Sequence, residues 1–228
     1  MIKENLERVW EKIEKAAIKS GRNKDDITLV AVSKTFPVES IIEAIECGQR
    51  IFGENRVQEA LSKIEKIKEM KIDAEFHLIG HLQTNKVRYL KDNFSLIQSV
   101  DRVEVARLIN ERAKKINYVQ DILLQVNIAR EPQKSGVLME NFDELLEFVV
   151  NCENLKLKGL MMIPPFEENP ENNRIYFSKM RELFLDVKSK YDIEYLSMGM
   201  SDDFEIAIEE GSNMVRIGSA IFGKREYK

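Results

Sequence analysis

The chain of 228 residues has little of what marks several functional classes. Its two cysteines, Cys47 and Cys152, stand far apart, so neither a disulfide framework nor a CxxC zinc site is indicated. Histidine is nearly as scarce: only His77 and His81 occur. No apolar run approaches the roughly 18 residues of a membrane span. The N-terminal segment MIKENLERVWEKIEK is charged throughout and lacks a signal-peptide core. There is no basic excess either. The net charge of −4 argues against a nucleic-acid partner, and cytoplasm is the expected compartment. The lysine-rich stretch KIEKIKEMK (63–71) mixes both signs and reads as a solvated helix face.

What is present is a rhythm. Ile2, Leu6, Val9, Ile13 and Ala16 recur at helical spacing, predicting an amphipathic helix over 2–19. Eight short apolar runs follow, at 27–33, 50–53, 75–80, 95–100, 121–128, 155–163, 194–199 and 214–223. Between them lie candidate helices at 38–47, 56–70, 84–91, 102–117, 141–151, 170–190 and 202–210. Nearly continuous apolar strands alternating with helices imply a parallel sheet covered on both faces. Eight such units predict a single-domain α/β fold, a (β/α)8 barrel over 1–228 with an extra N-terminal helix. A doubly wound open sheet is the main alternative, although no GxGxxG follows any run. In the turn-rich segment 163–173, Asn169 is the expected N-cap and Pro170 the first helical residue.

Barrel chemistry gathers at the C-terminal ends of the strands. Strand one delivers Ser33 and Lys34, strand two Gly53, Glu54 and Asn55, strand three carries His77, Gly80 and His81, strand five delivers Asn127, and strand six Met161, Met162 and Ile163. The last two strands deliver SMGMS (197–201) and then Arg216, Gly218 and Ser219. Ser201 stands where a helix N-cap belongs, and exposed amides at such a place bind anions. The competing reading is that Ser201 only caps its helix and the glycines ease packing. Lys34 is open in the same way. It is either a solvated lysine past a strand or an amine whose pKa is depressed by burial and Arg216, able to form a Schiff base. An aldehyde bearing a phosphate would satisfy both features, and pyridoxal phosphate is one. His77 reads as a hydrogen-bonded core residue, His81 as the start of a loop, and Lys134 as a charged loop residue that could face the mouth, with solvent exposure expected first.

The segments AVSKT (31–35), FGENRVQE (52–59), FHLIGHLQTNK (76–86), QVNIAREPQKSG (125–136), KGLMMIPP (158–165) and LSMGMSDDFEIAIEEGSNMVRIGSAIFG (196–223), in this order, resemble the pyridoxal phosphate homeostasis protein family. The resemblance spans nearly the whole chain. It implies a fold-type III barrel, like the barrel domain of alanine racemase without its second domain. It further implies pyridoxal 5'-phosphate held as a Schiff base on Lys34 and Arg216 facing the ring nitrogen. Ser201, Gly218 and Ser219 would bind the phosphate, Asn55 would line the pocket, and Met200 would pack beside phosphate and ring. Two positions depart from the family's usual pattern: Arg56 stands where tyrosine is common and Ser219 where threonine is, the hydroxyl being kept. The expected role is control of free cofactor without a dedicated reaction. Apo-enzymes that require pyridoxal phosphate are its candidate recipients, and a monomer is expected. An amino-acid racemase is the alternative, but it needs a second acid–base group. Tyrosines 89, 118, 176, 191, 195 and 227 all fall away from the strand ends. A cofactor-free Schiff-base aldolase would need a carboxylate near Lys34, for which Glu54 is the candidate.

Overall fold

The computed structural model describes residues 1–90 and 93–223. Lys91, at the end of the expected 84–91 helix, and Tyr227 lie outside them. Eight parallel strands close into a barrel in sequential order: β1 (Thr28–Val32), β2 (Ile51–Glu54), β3 (Glu75–Leu78), β4 (Leu96–Val100), β5 (Gln120–Gln125), β6 (Leu155–Met161), β7 (Tyr195–Ser197) and β8 (Met214–Ile217). The seam closes where Thr28 to Ala31 of β1 pair in register with Met214 to Ile217 of β8.

Helices α1 (Ile2–Lys19), α2 (Val38–Glu46), α3 (Val57–Glu69), α4 (Val103–Lys115), α5 (Met139–Val150), α6 (Arg174–Lys188), α7 (Phe204–Glu209) and α8 (Ser219–Phe222) surround it. The buried face of α1 is the one its periodicity predicts: Ile2, Leu6, Val9, Ile13 and Ala16, with Ala17 beside them. It packs against α7 and α8, joining the segment before β1 to the elements flanking β8. Asn5 donates to the carbonyl of Ile221 at 2.9 Å, and Arg22 donates to Ser212 O at 2.9 Å.

Three local expectations shift. Residues 84–89 form a 3-10 helix, not an α-helix. The run 214–223 is a strand only to Ile217, because Gly218 turns the chain into α8. The 170–190 helix opens as a 3-10 turn over Pro170–Asn173, and there Asn169 caps as expected, its Oδ1 accepting from Glu171 N at 3.2 Å.

Side chains along each strand alternate between two cores, as the pleat requires. Leu29, Ala31, Phe52, Phe76, Leu78, Ile97, Ile122, Leu124, Leu160, Val215 and Ile217 face the helices in one continuous cluster. Val30, Leu96, Leu123, Met161 and Met214 fill the barrel's interior. Around the ends of β3, β4, β7 and β8 the interior turns polar. Arg216 Nη1 donates to Ser197 Oγ at 2.6 Å, and Ser197 Oγ donates to Gln98 Oε1 at 2.6 Å. Gln98 Nε2 lies 3.0 Å from His77 Nδ1. All four residues are buried, so the chain satisfies groups that would otherwise be costly. His77 is thus the hydrogen-bonded core residue its sequence position suggests.

Candidate functional site

Strand β1 ends at Val32, and the chain leaves the barrel mouth through Ser33, Lys34 and Thr35. Ser33 N still bonds to Gly53 O on β2 at 3.1 Å, extending the ladder by one residue. Thr35 adopts φ +70°, unusual for a β-branched residue and worth about 1–3 kcal/mol of strain. Its amide donates to Glu59 Oε1 at 2.6 Å, which holds that conformation. Ser33 Oγ donates to the fully buried Glu54 at 2.6 Å. Burial pushes the Glu54 carboxyl above its ordinary range, against the hydrogen bonds from Lys63 and Ser33. Glu54 is thus engaged with structural groups, the competing reading to a catalytic carboxylate.

Lys34 opens onto a cavity of about 760 Å³ at the barrel mouth. The same cavity is lined by Asn55, Met200, Ser201, Arg216, Gly218 and Ser219, so the structure brings all seven candidate residues together. Arg216 is buried on β8, and its second nitrogen donates to the carbonyl of Met162 at 2.8 Å. Burial lowers its pKa to about 10, and Asp203 opposes that shift. No carboxylate lies within 4 Å of Arg216 among the described residues.

The turn after β7 is shaped by Gly199, at φ +98°. A Cβ there would meet Ala207 Cβ at 2.6 Å and Phe204 Cα at 2.9 Å. Ser201 does not cap α7. Asp203 takes that place, its Oδ1 accepting from Met200 N at 2.7 Å and its Oδ2 from Asn173 Nδ2 at 3.0 Å. Ser201 Oγ instead accepts from the amides of Gly218 and Ala220, each at 3.3 Å, and so joins the seventh and eighth strand ends. No side chain caps α8 within its own turn. Gly199→Ala is expected to lose about 2–4 kcal/mol of stability from the forced backbone and the overlap with α7. A urea titration measures it, and a loss under 0.5 kcal/mol would show that this turn relaxes freely.

The far rim holds residues to which sequence reading assigned no role in binding. Gly80 lets the FGEN turn approach, since a Cβ would sit 2.6 Å from Asn55 Cα. His81 lines the cavity, its Nδ1 3.2 Å from Ser135 Oγ and 3.7 Å from Asp101. Lys134 is not a solvent-exposed loop lysine. It lines the cavity, donates to Pro164 O at 2.7 Å and pairs with Glu131 at 2.7 Å, bridging two loops over the mouth. Asn127 does not reach the cavity lining; its amide nitrogen bonds to Glu131 O at 2.8 Å within its own loop. Gln125, the last residue of β5, faces the cavity in its stead, and the strand-end rule points to it once the strand is ended at 125. Arg56 is exposed at the start of α3, beside a recess of about 150 Å³ shared with Asn55, His81 and Lys86. A separate concavity of about 610 Å³, lined by Asn110, Glu144, Phe148 and Cys152, lies between α4 and α5. It gathers no lysine nucleophile with backbone anion donors from strand ends.

The family model described as the alanine racemase N-terminal domain matches residues 4–226. A pyridoxal phosphate homeostasis protein of Aquifex aeolicus (strain VF5) is 50% identical over 226 residues, covering 98% of each chain. The chain belongs to the pyridoxal phosphate homeostasis protein family. Another member, from Escherichia coli (strain K12), is 43% identical and covers 99% of this chain and 97% of its own. Among solved structures, PipY of Synechococcus elongatus PCC7942 with PLP bound is 30% identical, with a TM-score of 0.85 over 98% of this chain and 100% of its own. An alanine racemase of Clostridium difficile 630, 17% identical with a TM-score of 0.73, shares the fold over 57% of its length. The family membership makes the expected barrel, standing as one unit, the family's own fold.

The residues present fit a phosphorylated pyridine aldehyde. A lysine amine, a donor-only guanidinium and a hydroxyl-bridged pair of backbone turns all face one cavity. Arginine has no acceptor and stays protonated, so it suits a neutral ring nitrogen and not a protonated one.

Proposed function

We propose that this chain binds pyridoxal 5'-phosphate as a Schiff base on Lys34 and serves intracellular homeostasis of that cofactor, without a dedicated catalytic reaction. The observation that carries the reading is the single cavity shared by Lys34, Arg216 and the Ser201–Gly218–Ser219 turns. The names of the relatives and the bound ligand of PipY point the same way.

When bound, the cofactor supplies an aldehyde to which an amine adds. Lys34 is the amine that retains it. Arg216 donates toward the ring nitrogen and keeps it unprotonated, which weakens the ring as an electron sink. Ser201, Ser219 and the amides of Gly218 and Ala220, which meet at Ser201 Oγ, would take the phosphate by turning from that hydroxyl to the anion. Asn55 and Met200 bound the pocket at the sides. A racemase sets two acid–base groups on opposite faces of the substrate carbon. No tyrosine lines the cavity among the described residues, which supports retention over racemisation. Recipients would be apo-enzymes that need the same cofactor, in the cytoplasm.

The test is an absorption spectrum of the protein with excess pyridoxal phosphate, before and after borohydride, followed by peptide mapping. A visible band that is converted to a reduced pyridoxyl group on Lys34 is the expected result. A chain that stays colourless and unmodified sinks the proposal. Arg216→Gln removes the guanidinium while keeping a donor near Ser197. It is expected to shift the visible band and weaken retention about ten-fold or more, by the worth of a charge-assisted hydrogen bond. Unchanged spectrum and affinity would remove Arg216 from the ring nitrogen.

A further inference from the structure

We infer that Lys63 is a positioning residue for Lys34: one buried ammonium, with Glu59 and Glu54, clamps the peptide groups on both sides of the cofactor-binding lysine. The inference rests on the proposed role of Lys34. Lys63 lies on α3, outside the mouth cavity, and its side chain is only 8% exposed. Its Nζ donates to Ser33 O at 2.9 Å, Glu54 Oε1 at 2.8 Å and Glu59 Oε1 at 2.8 Å. An ammonium has three donors, and these contacts use all of them.

Each partner acts on a neighbour of Lys34. The carbonyl of Ser33 is held directly. Its hydroxyl is held through Glu54 at 2.6 Å. The amide of Thr35 is held through Glu59 at 2.6 Å, in its left-handed conformation. The backbone entering Lys34 and the backbone leaving it are therefore fixed by a single charge. A buried lysine is rarely placed without a paired role, and this one spends its charge on the two residues that set where Lys34 starts. A small displacement of a reacting group slows bond formation by orders of magnitude, so this clamp acts on the rate at which Lys34 captures an aldehyde.

The test compares Lys63→Met, Glu59→Ala and Glu59→Gln with the wild type. Two ligands are used: pyridoxal phosphate, whose attachment is followed by borohydride trapping and peptide mapping, and pyridoxine phosphate, which lacks the aldehyde and binds through ring and phosphate alone. Lys63→Met and Glu59→Ala are expected to slow covalent attachment at Lys34 about ten- to a hundred-fold. Pyridoxine phosphate affinity should change less than about three-fold, because the phosphate turns and Arg216 lie on other elements. Glu59→Gln keeps an acceptor for Thr35 N and should recover most of the rate. In the cofactor-free protein, the Thr35 amide should exchange faster in Glu59→Ala and not in Glu59→Gln. If Lys63→Met does not fold, Glu59→Ala decides, since it leaves the Lys63–Glu54 pair in place. Wild-type attachment rates in the folded variants overturn the inference. An equal loss for both ligands does so too, because it marks general damage. A wild-type chain with no Lys34 adduct takes the proposed function and this inference together, whereas a wild-type adduct with unaffected variants removes this inference alone.

Discussion

Lys34→Ala is expected to give a folded barrel that no longer acquires a borohydride-stable pyridoxyl group. The effect is all-or-none, because covalent retention needs the amine itself. The fold should survive. Lys34 sits past the last paired residue of β1, and bonds through Ser33 and Thr35 hold this turn. Stability should change by about 0.5–1 kcal/mol at most, the usual range for a substitution outside the core. Mass mapping after reduction reads the outcome. A pyridoxyl adduct still formed at wild-type yield would remove Lys34 from the role, and an unfolded variant would show that the lysine belongs to the structure first.

Acid should unfold this protein through His77. Burial lowers its pKa from 6.5 to about 3, and Gln98 donates toward the ring nitrogen that a proton would occupy. The folded state therefore binds fewer protons than the unfolded chain between those two values. Stability is full above the unfolded pKa of about 6.5 and falls as pH drops toward the folded value, by about 1.4 kcal/mol per pH unit. The whole interval amounts to something on the order of 5 kcal/mol, a large share of a domain's stability. His77→Asn keeps an acceptor for Gln98 and cannot titrate. Urea unfolding at a series of pH values from 7 to 4 should show the wild type losing several kcal/mol more than the variant. Glu54 and Asp203 have folded pKa values raised by burial, so their contributions are lost as pH rises and not as it falls. The difference between the two proteins isolates the histidine. Parallel curves would show that His77 is protonated without penalty.

The barrel was legible because its signal is repeated and local. Eight apolar runs alternate with amphipathic segments, and each strand's burial follows from its own residues. The misread boundaries are those where one glycine or a distant partner decides. Gly218 ends β8 four residues after it starts, although the apolar run continues to Phe222. Asp203, not Ser201, stands at the N-cap position of α7, and its side chain is fixed by Asn173, 30 residues away. Barrel topology sends strand ends to one face and so brought a broad set of residues into view, from which the family resemblance selected the seven candidates. Lys63 was missed for a different reason. Its surroundings mix charges and read as solvated, yet it lies three residues after Ala60 and four before Ile67, both on the buried face of α3. That spacing was a usable sign that the ammonium lies under the helix. For Lys134 the less favoured of its two readings, facing the mouth, is the observed one, because its place depends on Pro164 in another loop.

The seam between β1 and β8 has a consequence for synthesis. A ribosome releases Lys34 long before Arg216, Gly218 and Ser219. Until those last residues emerge, the lysine has neither its guanidinium neighbour nor the turns that would take a phosphate. If Lys34 holds an aldehyde as proposed, that capture would wait until β8 has closed against β1. Closing the ring in space with the first and last strands would make any retention at Lys34 depend on a closed barrel.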